Sequence, residues 1–142
     1  MKKVLWFLIS FLFVCQLTGC SLLINPKIDY GNSNVYSKEE MDDAIKIIKK
    51  EFFNSFMGSE LKNIRYVSDD KCGVDELEWL NVLAGDNGSS EHFTECMLFL
   101  SDFHSSKNGR GDLEADYEYT DWQWWLARSE NGKWKLVTNG WG

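Results

Sequence analysis

The chain has 142 residues and a formal net charge of −7, with 44% hydrophobic and 15% aromatic residues. An acidic body is repelled by phosphate backbones and anionic headgroups, which excludes nucleic acid as a partner and surface charge as a means of holding a membrane. The length allows one core of modest size, not two.

Residues 1–19 read as a leader. Lys2 and Lys3 precede an apolar run over residues 4–15 that stops at Gln16, shorter than the roughly 20 apolar residues a spanning helix needs. Charged start, apolar run and small-residue cleavage site stand in the order of an export signal. Leu17-Thr18-Gly19-Cys20 resembles the lipobox of bacterial lipoproteins. That resemblance implies cleavage behind Gly19 and a thioether-linked diacylglycerol on Cys20, placing the protein on the outer face of the bacterial cell membrane with the membrane as its first partner. Two acyl chains anchor stably. The bland alternative is a plain secreted cysteine. Losing Lys2 and Lys3 with the leader takes the charge from −7 to −9, so the lipid, not the surface, has to hold the membrane. Cys15 leaves with the leader, which leaves Cys72 and Cys96 in the body. Outside the cytoplasm they can form a disulfide; two separate buried thiols are equally compatible with the pattern.

Residues 20–36, with Asn25-Pro26 and Gly31-Asn32-Ser33-Asn34, lack periodicity and read as a flexible tether. Residues 37–142 then form a single domain. Ser37-Lys38-Glu39-Glu40 is a capping box, with Tyr36 and Met41 placed for a hydrophobic staple. Met41, Ala44, Ile45, Ile48, Phe52 and Phe56 follow at helical spacing until Gly58. The pattern predicts a strand over 61–68, a short helix over 74–84 and a loop over 85–90. A strand follows over 93–103, with Cys96, Leu98 and Leu100 on one face and Phe93, Met97 and Phe99 on the other. After a polar loop over 105–116, residues 117–128 and 133–139 read as a hairpin turning at Asn131-Gly132. The expected fold is α+β: a long N-terminal helix packed on a curved antiparallel sheet of about four strands, with a short second helix.

Tyr119-Thr120-Asp121-Trp122-Gln123-Trp124, Leu126-Ala127-Arg128, residues 131–136 and the closing Asn139-Gly140-Trp141-Gly142 resemble a group of uncharacterised lipoproteins of Gram-positive bacteria. The likeness extends to the lipidated leader and the Tyr-Ser-Lys-Glu-Glu helix start. It implies a cystatin-like or NTF2-like roll and an envelope location, and carries no catalytic residues.

The aromatic concentration is the most unusual feature: Tyr117, Tyr119, Trp122, Trp124, Trp125, Trp134 and Trp141 fall in the last hairpin region. Strand alternation puts Trp122, Trp124 and Leu126 on one face and Trp125 and Ala127 on the other. These rings either fill a small core or leave a surface that stacks a peptide, a glycan or an apolar ligand. His92 and His104 flank the strand over 93–103, and Asp102 lies two positions before His104. A histidine beside a carboxylate suits general-base chemistry, although strand ends next to polar loops usually carry solvated side chains. Asp69-Asp70 and Asp86-Asn87-Gly88 lack the alternating acids of a calcium loop, and Arg110-Gly111-Asp112 is a tripeptide that charged loops produce by chance. No cofactor or metal is expected. The favoured function is a non-enzymatic binding or accessory module for a peptide, glycan or envelope protein. An inhibitor or immunity-type lipoprotein is one alternative, and a small-molecule enzyme using an NTF2-like cup is another.

Overall fold

The computed structural model describes residues 25–141, so the expected leader and Cys20 lie outside the described residues. Strand β1 (Lys27–Asp29) comes first, then helix α1 (Lys38–Ser55) and strand β2 (Glu60–Tyr66). A single turn of tighter helix (Asp69–Lys71) leads into helix α2 (Val74–Asp86), and strands β3 (Glu95–His104), β4 (Glu118–Arg128) and β5 (Lys135–Gly140) close the chain. The protein is α+β, with one sheet in the order β1-β2-β3-β4-β5. All pairings are antiparallel except β1 with β2, which is parallel and sets Ile28 opposite Ile64.

This corrects the expectation of about four antiparallel strands behind an N-terminal helix: the sheet has five strands, is mixed, and begins before the helix. The extra strand comes from the segment read as a tether. Three residues with one apolar side chain carry no readable period, and their hold on the fold is made of distant contacts. Ile28, Tyr30 and Tyr36 pack on the core. The carboxylate of Asp69 accepts the Ser33 hydroxyl at 2.5 Å, the Asn34 amide at 2.8 Å and the Tyr66 hydroxyl at 2.8 Å. Those bonds, the Ser33 one first, hold its carboxyl below the usual carboxylate range.

Helix α1 starts as its capping box requires. The Ser37 hydroxyl accepts from the Glu40 amide at 3.2 Å, and the Glu40 carboxylate accepts from the Ser37 amide at 2.9 Å. Met41, Ala44, Ile45, Ile48 and Phe52 are buried, and the stripe lies on Leu61, Ile64, Met97, Phe99, Phe103, Tyr119, Trp124 and Leu126 of the sheet. Trp124 is fully buried, and its indole N–H reaches the buried Ser101 hydroxyl at 3.0 Å. That bond satisfies a donor which would otherwise oppose burial. Arg128 binds α1 to the sheet: its guanidinium donates to Glu95 at 2.5 Å and to Glu40 at 2.8 Å and lies 4.5 Å from the Trp134 ring centre.

The opposite face is covered by α2 over part of its width. Leu80, Ala84, Phe93, Cys96 and Ala127 form a second, smaller core with Cys72, Leu77, Trp125 and Val137 at its margin. Phe93 therefore packs under α2, not on the Met97–Phe99 face; it precedes β3 and escapes the strand's alternation. Asn81 clamps it: its side-chain amide donates to the Phe93 carbonyl at 3.0 Å and accepts from the Phe93 N–H at 2.7 Å. Cys72 and Cys96 are joined in a disulfide with Cα atoms 5.7 Å apart, fastening the start of α2 to β3. Among the described residues no helix is long and apolar enough to cross a membrane.

Candidate ligand groove

The aromatic set divides between the two faces and the surface. Tyr119, Trp124 and Trp134 are buried in the α1 core, and Trp122 packs on it while its indole donates to Asn139 at 3.1 Å. Trp125 takes the other face, as strand alternation predicts. Tyr117 and Trp141 are exposed, at 38% and 59%. Tyr117 leans edge-on against Tyr119, with ring centres 5.0 Å apart. For Tyr119, Trp124 and Trp134 the core reading therefore holds, and a surface role is left to Tyr117, Trp125 and Trp141.

A further ring joins Trp125 and Trp141. Trp79 of α2, 45% exposed, meets Trp125 edge-to-face with centres 5.5 Å apart. Trp79 and Trp125 form the walls of a groove of about 270 Å³ between α2 and the β4–β5 hairpin, and Trp141, whose ring packs edge-on against Tyr119 with centres 5.5 Å apart, lines its end. Gln123 and Thr138 supply its polar side chains; Asn139 and Gly140 lie beside them, the Asn139 side chain turning to the α1 face to meet Trp122. The indole N–H of Trp125 donates to the Gln123 carbonyl oxygen and that of Trp141 to the Thr120 carbonyl, each at 2.9 Å. Both rings are thus oriented by the protein itself. Trp79 was legible only as a helix residue. The signal for it is that α2 is apolar beyond one stripe: Val74, Trp79 and Val82 remain exposed while Leu80 and Ala84 are buried.

Beyond α2, toward the bulged ends of β2, β3 and β4, this sheet face is charged. Lys62 and Asp121 are extra residues at two bulges that both lie opposite Asp102, and Asp121 has a φ of +58°. The Asp102 carboxylate accepts from Asn63 at 2.8 Å, the Asp121 N–H at 3.0 Å and Arg65 at 3.2 Å. Partial burial opposes its charge, yet these donors hold its carboxyl below the ordinary range. The guanidinium of Arg65 also pairs with Asp121. His104 is held elsewhere, its Nε2 2.8 Å from Asp116 and its Nδ1 2.9 Å from Glu118. Those two carboxylates, Asp116 first, raise its pKa. Asp102 and His104 therefore do not form the pair that their spacing suggested, and a histidine favoured in its protonated form is poorly suited to take a proton. His92 lies at the other end of β3, beside an apolar groove lined by Val74, Leu77, Val82 and Phe93. Asp69 spends its oxygens on Ser33, Asn34 and Tyr66. Among the described residues, no group of three or more histidine, cysteine or acidic side chains converges for a metal ion.

No family model, curated protein or solved structure matches the chain.

Proposed function

We propose that this protein is a lipid-anchored module on the outer face of a bacterial cell membrane, and that it binds an envelope component through the Trp79–Trp125–Trp141 groove without transforming it. The observation that carries the binding reading is the exposure of Trp79 and Trp141 beside Trp125 in a domain that buries Trp124 completely. Large rigid aromatic faces left at a surface bind at small entropic cost. The address rests on the leader sequence and its Leu-Thr-Gly-Cys end. A Cys72–Cys96 disulfide supports it, because such bonds persist in oxidising compartments. We read the fold as a roll of the cystatin-like or NTF2-like kind, supported by one long helix lying across the antiparallel strands β2 to β5. A binding role is favoured over a catalytic one by the engagement of Asp102 and His104 with different partners.

The test is the full chain, expressed in a Gram-positive bacterium and labelled with 5-fluorotryptophan. The membrane-bound protein should begin at Cys20 and carry a diacylglycerol mass. Solubilised cell-wall fragments should shift the fluorine resonances of Trp79, Trp125 and Trp141 and leave those of Trp124 and Trp134 in place. A mature start elsewhere would contradict the address, and shifts confined to other tryptophans would contradict the groove.

A further inference from the structure

We propose that the ligand of this groove is a neutral glycan, held by stacking of pyranose rings and by uncharged hydrogen bonds; the inference rests on the reading of the groove as the contact surface. No residue lining the groove is charged, although 26% of the chain is. Charges crowd the same sheet face nearby, where Lys62, Arg65, Asp102, Glu118 and Asp121 are joined in ion pairs. Neutrality is thus a local property of the groove. A phosphate, a carboxylate or a cationic peptide would find no counter-charge there to replace its water.

What the groove offers is matched to a sugar. The indole N–H groups of Trp125 and Trp141 are taken by Gln123 and Thr120, so what these rings offer a ligand is apolar aromatic surface, not donors. An aromatic face carries negative electrostatic potential, which suits the C–H side of a pyranose. Gln123 uses its side-chain carbonyl oxygen for Trp125. Its N–H groups are left out of that bond, and the Thr138 hydroxyl can donate or accept. Hydroxyl groups need this mixture of neutral donors and acceptors. At about 270 Å³ the groove is near the lower end of the roughly 300–1,000 Å³ typical of small-molecule sites, which suits a few rings of a longer polymer. An extended peptide would instead be expected to pair its backbone with the edge of β5, which carries no further strand among the described residues, beside the groove rather than across the rings.

The experiment titrates the full chain, in phosphatidylcholine nanodiscs, with cellohexaose, maltohexaose and N-acetylchitohexaose, following tryptophan fluorescence at low and high salt. Neutral hexapeptides are run in parallel. Trp79→Ala removes a wall and Trp141→Ala the end ring. Gly140→Leu is chosen to fill the groove, because a Cβ there meets no atom within 4 Å, with thermal unfolding run beside it to verify the fold. At least one oligosaccharide should bind saturably and independently of salt. Each tryptophan variant should weaken it about tenfold, the size of one lost stacking contact, and Gly140→Leu should abolish it. Oligosaccharide binding untouched by these three variants would overturn the inference. Peptide binding lost in the variants, with no sugar bound, would overturn the glycan and leave the contact surface standing. Failure of both ligands would overturn both.

Discussion

The two faces of the sheet are held by different physics. Under α1, 16 buried residues form one continuous cluster, and the helix is secured by area removed from water. Under α2 the buried cluster has five residues, and the helix is secured by a covalent bond, one asparagine clamp and a tryptophan pair. The first arrangement seals its face. The second leaves rings and polar groups at the surface, and the proposed binding groove lies along its margin. A small domain thus gains an open, aromatic face because the opposite face supplies most of the burial.

Breaking the sealed side should cost most. Trp124→Ala removes a fully buried ring and leaves Ser101 unpartnered, and chemical denaturation should read a loss of about 3–5 kcal/mol. On the α2 side, Cys72→Ser opens a cross-link of sequence separation 24. About 3 kcal/mol should be lost, with amide exchange rising in α2 before it rises in α1. Uniform exchange across both helices would show that the two faces are one cooperative layer. Asn81→Ala strips the Phe93 backbone of both partners; about 1–3 kcal/mol is expected, again with loss concentrated in α2.

The smallest effect concerns the charged part of the open face. The folded-state pKa of His104 is raised above 6.5 by Asp116 and then Glu118. The stability this gives is complete below pH 6.5 and is lost as the pH climbs through the folded-state value. The residue is exposed, so the change is slight. A thermal-unfolding profile across that range should flatten in His104→Gln; an unchanged profile would remove His104 from the account.

Much of the sealed face was legible in the chain. Ser37 and Glu40 announce the start of α1, its apolar spacing marks the buried stripe, and alternation from Trp122 to Ala127 assigns the rings to opposite faces. Alternation fails at Asp121, whose positive φ and extra residue put Tyr119 on the same side as Trp122. It fails again for Phe93, which stands before its strand. The open face was less legible because its contacts join distant segments. Trp79 meets Trp125 only once α2 has docked, and Cys72 gave no sign of its partner beyond the count of cysteines. β1 has three residues, too few to show a period.

The division into a sealed and an open face is tested most directly by indole exposure. A soluble paramagnetic probe added to 5-fluorotryptophan-labelled protein should broaden Trp141 and Trp79 strongly, Trp125 and Trp122 less, and Trp124 and Trp134 least. Trp79 and Trp141 as well protected as Trp124 would mean that the groove is closed, and the account of this face as a binding surface would be wrong.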